Sequence, residues 1–477
     1  MASIGQSSGI GQRVRRYRWK ELGLFIIPFM ILLLEIIQLP LAQFYEQKIS
    51  TSPQPIPFTR DILPTISQLL PILGLIALLL LVNIILSFTF PRADQMLLPL
   101  VGLLSGLGVL MVTRLGDSPT IGDPTLGTRQ LLWVLLGLVI CVGTLAIVRN
   151  MHWLERFKYT WAAFGIALVA ATLVNALRVK NLDSPTHDQL NFGPFNLQPS
   201  ELLKIFIVIF FAAYLSENQD VLARGNLKIG PLHLPPLRQL GPLALMLGIA
   251  LLLFLGVREL GLALLIYGIF LCMIYLGTNK VSWVVVSLGI FLVLGLIGYA
   301  LFSYVRLRFA AVAIDPVNWQ NWSQATQEFA RGGAAQIVQG IIALSSGGIL
   351  GAGFGLGHPV LVPVVQSDMI FTALGEEYGL AGLFAIIGIY LLILYRGFRI
   401  AMEANDSFSQ LLAAGLTSIF AVQTVVIIAG NMKLLPLTGL PLPFVSYGGS
   451  SIIANYIIIG ILLRISDTTA KEQEGLV

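Results

Sequence analysis

Twelve apolar runs, each long enough to cross hydrocarbon about 30 Å thick, set the limits on this chain. They lie at roughly 20–42, 65–90, 96–115, 129–149, 160–178, 201–216, 241–257, 260–277, 281–302, 367–395, 409–431 and 446–465. Lipid cannot satisfy an exposed backbone, so every crossing must be helical. The expected fold class is therefore all-α: a polytopic membrane helical bundle of about twelve transmembrane helices. The run at 201–216 is short, and 241–277 also reads as one broken span. With 56% hydrophobic and 11% charged residues, the chain lies outside the range of soluble domains.

The net charge of +5 would suit nucleic acid if it sat on one domain. Instead Lys and Arg fall between the apolar runs, so the surroundings implied are membrane lipid and not nucleic acid. With the N-terminus inside, the inner segments hold 17 basic residues and the longer outer segments 11, with Lys204 inside a span. The positive-inside rule then puts both termini in the cytoplasm. Arg13, Arg15, Arg16 and Arg18 are placed to touch anionic lipid heads. The N-terminus lacks the short apolar core and small-residue cleavage site of a secretory signal, so the first run reads as retained. Cys141 and Cys272 sit inside apolar runs as small hydrophobes. The connection 303–366 faces outward. Trp319 and Trp322 suit the interface, and Ile337, Ile341, Ile342 and Leu344 suit short helices in the outer leaflet.

An ionisable side chain among such runs is a functional candidate by default. Asp368 stands at the mouth of the run 367–395, with Glu376 and Glu377 two turns deeper. It reads either as a cap carboxylate held by the helix dipole or as a reacting group. Glu376 and Glu377 read as structural. The runs beginning near Glu201, Asp368 and Tyr447 all start at the outer side, behind Gln198-Pro199-Ser200, Gln366-Ser367 and the segment 441–446 that ends in Ser446. Three N-terminal dipoles aimed into one outward cavity would attract an anion such as phosphate. Glu201 and Lys204, three residues apart, share a helix face. They form a mutual ion pair, or Lys204 meets an anionic ligand while Glu201 orients it. Arg258-Glu259 makes an outer turn with the same two readings. The glycine-rich stretch 347–357 follows no strand, which rejects a dinucleotide loop. Its glycines let backbone approach a bulky ligand or turn tightly. Asn321-Trp322-Ser323 fits a glycosylation acceptor that arises by chance, and His152, His187, His233 and His358 lack metal-ligand spacing.

Leu434 through Ser451 closely resembles the C-terminal signature of the SEDS proteins, the shape, elongation, division and sporulation glycosyltransferases that include FtsW and RodA. The resemblance extends to Arg129-Gln130, to Gln198-Pro199-Ser200-Glu201 with Lys204, to Ser345 through Gly351, and to Ser367-Asp368 through Gly379. It covers about 96–465. Ten family helices are implied within 96–466, and residues 1–95 then add a basic tail and two further spans. The outer loop 303–366 lies within the core, and 467–477 is a cytoplasmic tail. The resemblance implies an inverting lipid II polymerase of the bacterial cytoplasmic membrane. The implied partners are lipid II, undecaprenyl-diphosphate-linked glycan and a class B penicillin-binding protein. The family's essential carboxylate falls on Asp368. Candidate substrate contacts are Gln198, Ser200, Glu201, Lys204, Arg258, Glu259, Gln336, Ser446, Ser450 and Ser451. No tightly bound cofactor is expected, with Mg or Mn as an optional cation. Three departures stand out. Gln366-Ser367 replaces the usual His-Thr, and Arg258-Glu259-Leu260-Gly261-Leu262 replaces Pro-Asp-Leu-Gly-Thr. Leu190-Asn191-Phe192 stands where the family has Arg-Trp. Rival readings are a flippase of lipid-linked precursor and a non-catalytic scaffold for a penicillin-binding protein.

Overall fold

The computed structural model describes residues 17–49, 66–118, 120–178, 190–192, 195–224, 227–229, 232–234 and 237–475. Arg13, Arg15 and Arg16, with their expected lipid contact, lie outside the described residues, as does His187. The first half contains α1 (Trp19–Leu24), α2 (Ile26–Ile49), α3 (Ile66–Thr89), α4 (Leu97–Gly116), α5 (Leu126–Ile147), α6 (Met151–Arg156) and α7 (Lys158–Arg178). A hairpin of β1 (Leu190–Phe192) and β2 (Phe195–Leu197) leads into α8 (Ser200–Arg224). A second hairpin, β3 (Leu227–Ile229) with β4 (Leu232–Leu234), precedes α9 (Leu237–Val257), α10 (Leu260–Thr278) and α11 (Val281–Leu301). The chain ends with α12 (Ser303–Ala313), α13 (Gln324–Arg331), α14 (Ala335–Gly347), α15 (Ile370–Glu403), α16 (Ser407–Asn431) and α17 (Gly449–Gln473).

All twelve expected runs are helical. Among the described residues nine helices are long and apolar enough to cross a membrane, so the count of twelve is not reproduced. The other three are weaker for visible reasons. α7 opens on the polar Lys158-Tyr159-Thr160, α8 carries Glu201, Lys204 and Glu217, and α9 opens on Leu237-Arg238-Gln239 ahead of its apolar stretch. The short helices expected in the connection 303–366 are present as α12, α13 and α14. Two three-residue hairpins are the only strands among the described residues.

Small residues let the spans approach closely, as lipid-embedded helices require. α17 packs along α5, where a Cβ on Gly137 would run into the Tyr456 ring and one on Gly460 would lie 2.9 Å from the Cys141 carbonyl. α2 packs on α4, and α3 on α4 and α5. The N-terminal pair is therefore built into the bundle. Fully buried Arg18 anchors its base, donating to Glu21 (2.5 Å) and to the carbonyls of Ala93 (2.8 Å) and Asp94 (2.6 Å). Asp94 in turn accepts from Arg396 Nε on α15 (2.8 Å). At the same end Arg92 pairs with Glu474 (2.6 Å) and Arg464 donates to the Arg149 carbonyl (2.8 Å). Basic residues assigned to one side by charge counting thus gather at one end of the bundle.

α15 is not one rod. Gly379 at φ 67°, ψ −171° breaks it, and the glycine-rich stretch pairs with the break. Ala352 N–H donates to the Glu376 carbonyl (2.9 Å) and Gly353 N–H to Glu377 (3.0 Å). From the other side Leu380 N–H donates to Gly348 (3.0 Å) and Ala381 N–H to Ile349 (3.0 Å). The backbone bonds lost at the break are made again by this loop. The close approach expected of these glycines is to the chain's own helix.

Candidate functional site

The starts of α8, α15 and α17 converge, as the threading requires. Gln198 N–H donates to Ser450 Oγ (2.9 Å), Tyr447 N–H to the Gln366 carbonyl (2.8 Å), and Ser446 Oγ to the Ser367 carbonyl. Proline carbonyls in the loop 434–448 lack helical partners and are taken by side chains projecting from spans. Gln423 of α16 donates to Pro441 O (2.8 Å) and Tyr390 of α15 to Pro443 O (2.6 Å). Gln130 of α5 donates to Ser446 O (3.1 Å). Ser446 Oγ also accepts from Leu442 N–H (2.7 Å). This loop is a clamp that fixes the approach to Asp368.

Asp368 itself lies before α15, whose N-cap is Met369 with no side-chain cap bond. The cap reading is therefore not the observed one. Asn431 of α16 holds the Asp368 carbonyl (2.8 Å), while the half-buried carboxylate accepts a long bond from the Ser367 hydroxyl (3.3 Å). Burial pushes this carboxyl up to about 6 from an ordinary 3.8, against the pull of a backbone hydrogen bond, of Ser367 and of the nearby Arg308 charge.

Lys204 takes a different position from that of an anion contact. It is fully buried, donating to Glu201 Oε2 (2.6 Å) and Gln423 Oε1 (3.0 Å). Of its two readings, the mutual ion pair is the one seen. Lys204 is therefore not exposed beside Asp368, because burying an ammonium requires its available partners to close on it. The pair still reaches the site, since Gln423 bridges from Lys204 to Pro441. Asn431 then lies two turns along the same helix, roughly 12 Å further.

The other expected residues divide. Ser200, Glu201, Ser446, Ser450 and Ser451 are buried at the junction of helix starts. Glu259 is buried and Arg258 exposed in the α9–α10 turn, and Arg258 adopts φ 64°. That turn reaches the clamp, because a Cβ on Gly261 would lie 2.8 Å from Thr438 Cβ. Gln336 is apart, donating to Pro363 O (3.2 Å). Glu376 accepts from His358 N–H (2.8 Å), and Glu377 faces Arg114 at 3.6 Å, which suits structural roles. Clefts of about 630 Å³ and 550 Å³ lie in the outer connection around Trp322, and neither is lined by Asp368.

Gln130, Tyr390, Gln423, Asn431 and Arg308 complete the surroundings without having been chosen as site residues. Gln423 and Asn431 carried a signal in the sequence, being amides inside an otherwise apolar span. Among the described residues no group of three or more His, Cys, Asp and Glu is arranged to hold a metal ion.

The profile of the FtsW, RodA and SpoVE family, described as cell cycle proteins, matches residues 94–471. The chain is similar to a peptidoglycan glycosyltransferase RodA of Mycobacterium leprae, 35% identical over 385 residues, covering 79% of this chain and 78% of that one. It is also similar to a probable peptidoglycan glycosyltransferase FtsW of Trichlorobacter lovleyi, 30% identical over 393 residues, covering 80% and 94%. Among solved structures, a chain from a peptidoglycan synthase complex superposes with TM-score 0.59 at 23% identity, covering 79% of this chain and 98% of that one. A Thermus thermophilus rod shape determining protein RodA variant gives TM-score 0.55 at 21% identity, covering 78% and 97%. At these identities the structures speak for the fold alone.

Proposed function

The chain belongs to the FtsW, RodA and SpoVE family of cell cycle proteins, and from that premise we propose that it is a peptidoglycan glycosyltransferase polymerising lipid II at the outer face of the bacterial cytoplasmic membrane. The observation that carries the site assignment is the half-buried carboxylate of Asp368, placed by three converging helix starts and a clamped loop at one end of the bundle. The basic residues gathered at the opposite end support a threading with both termini in the cytoplasm.

In this reading Asp368 takes the proton from the acceptor sugar's 4-hydroxyl. That oxygen attacks the anomeric carbon of the lipid-linked donor with inversion, and polyprenyl diphosphate leaves. A carboxyl raised to about 6 is ionised at neutral pH yet a stronger base than an ordinary aspartate. Diphosphate is already a good leaving group, so alignment and charge stabilisation are the main demands. Gln423, Tyr390, Gln130 and Asn431 meet the first by fixing backbone around residues 366–368 and 441–446. Lys204 and Glu201 contribute through Gln423, as positioning residues. A divalent cation, Mg or Mn, on the leaving diphosphate would add to that charge stabilisation. The crosslinking partner in this proposal is a class B penicillin-binding protein, as the resemblance to the family implies.

The test is polymerisation of fluorescent lipid II by purified protein, with and without that partner. Asp368→Ala and Asp368→Asn are expected to fold and make no polymer. Polymer of normal length from either variant would remove Asp368 from its role. A scaffold, by contrast, would support the partner equally well in both variants.

A further inference from the structure

α1, α2 and α3 precede the residues 94–471 matched by the family, yet α2 reaches the element on which Asp368 depends. Glu35, Leu39 and Ala42 follow the spacing i, i+4, i+7 and make one buried face of α2. Leu34, Ile37 and Leu41 lie off that face and are exposed. Glu35 fixes this rotation, because turning the helix would carry its carboxylate into lipid.

The buried face meets the glycine-rich loop. A Cβ on Gly355 would lie 2.8 Å from Ala42 Cβ and 3.4 Å from Leu39 Cδ1, and one on Gly353 would lie 3.6 Å from Gln38 Nε2. Arg114 of α4 holds the same loop by its carbonyls, donating to Gly355 and Gly357 (3.0 Å each). Toward α15 the loop has little room to yield. A Cβ on Gly357 would lie 3.0 Å from Glu377 Cγ, and the Phe354 and Tyr378 rings stack with centroids 5.7 Å apart. The N–H groups of Ala352 and Gly353 bond the carbonyls of Glu376 and Glu377, just before the break at Gly379. Contacts therefore run unbroken from α2 through the loop to the piece 370–378, which follows directly on Asp368.

We propose that Leu39 and Ala42 of α2 are positioning residues of the glycosyl-transfer site, pressing the loop 353–357 onto the break in α15 and so setting where the Asp368 carboxylate stands. The inference rests on the glycosyltransferase reading and gives a span outside the matched region a part in the reaction. Neither side chain reaches the reacting atoms; both act through the loop. The piece 370–378 lacks the continuous hydrogen bonding of an unbroken helix at its inner end, so its place is set by what packs on it. Alignment is the main demand of this transfer, and a carboxylate displaced by about 1 Å can slow such a step up to about a hundredfold.

The experiment measures initial rates of lipid II polymerisation by full-length protein in detergent, across lipid II concentrations, at a temperature where thermal unfolding shows each variant to be folded. Ala42→Leu forces bulk into a contact that is already closed. It is expected to lower kcat at least about tenfold and to leave KM for lipid II within about twofold. Leu39→Ala opens the same contact and should lower kcat in the same way, to a smaller extent. Leu39→Met keeps the volume and should retain the parent's kcat. Leu34→Ala, on the exposed side of the same helix, should change neither constant. Where Ala42→Leu does not fold, the two Leu39 variants decide. Folded variants with the parent's kcat would overturn the assignment, and so would a rise in KM alone or an equal loss in Leu34→Ala. A parent that makes no polymer from lipid II would instead remove the function, and this inference with it.

Discussion

Asp368 is subject to opposed demands from folding and chemistry. Because its folded value of about 6 lies above the ordinary 3.8, the native state holds the proton more tightly than the unfolded chain. Its contribution to stability is therefore greatest below 3.8, falls as pH rises through the interval to about 6, and stays at its lowest above that. The full difference corresponds to at most about 3 kcal/mol, less whatever solvent screens at a half-exposed group. Asp368→Asn should accordingly raise the unfolding temperature at pH 8 and leave it unchanged near pH 3.5, while abolishing polymer. The parent's polymerisation rate should climb with a midpoint near pH 6 and then level. Equal thermal shifts at both pH values would show that burial of the charge is not what the substitution relieves. Lys204 poses the converse case, since its charge is fully compensated. Lys204→Met strands Glu201 and is expected to cost about 3–5 kcal/mol, much of which Glu201→Gln should restore in the double variant. Thermal unfolding of the single and double variants reads this coupling directly.

The element that decides the site is the short helical piece 370–378, isolated from the remainder of α15 by the break at Gly379. A Cβ on Gly379 would lie 2.6 Å from the Ile349 carbonyl, and its φ of 67° is itself costly for any L side chain. Gly379→Ala should thus destabilise by more than about 1 kcal/mol and cut polymerisation beyond what lost folding explains, because the piece that follows Asp368 is displaced. Gly388→Ala, further along α15 with nothing within 4 Å, should be neutral in the same two assays. This element also shows what can be read before a structure exists. The spans were legible because hydropathy is local, and so was Asp368, because a charge beside an apolar run has few explanations. The pairing of 348–353 with 376–381 was not, since hydrogen bonds between backbones carry no side-chain signature. Lys204 was ambiguous for a related reason. Spacing put Glu201 on its face, but only the packing of α16 supplied Gln423 and closed the pair.

Across the whole molecule, one arrangement connects orientation with chemistry. The end that carries Arg92, Arg149, Arg396 and Arg464 is opposite the end that carries Asp368, the clamp and the connection 303–366. A charge rule therefore orients the site as well as the bundle. The N-terminal spans take part in that orientation, because Arg18 and Asp94 join α1, α3 and α15 into one buried polar network at the basic end. If this end is cytoplasmic, residue 405 in the turn between α15 and α16 and residue 320 in the outer connection must lie on opposite sides of the membrane. Cysteines at these positions (Asn405→Cys and Gln320→Cys) test this in intact cells, in a background whose Cys141 is buried and Cys272 half-buried. A membrane-impermeant maleimide is expected to label residue 320 directly and residue 405 only after permeabilisation. The reverse pattern would put Asp368 on the cytoplasmic side, where the proposed polymerisation of lipid II at the outer face could not take place. Labelling of both from outside would mean that α15, the span between the two positions, fails to cross, whereas a missed crossing at α7, α8 or α9 would produce the reverse pattern.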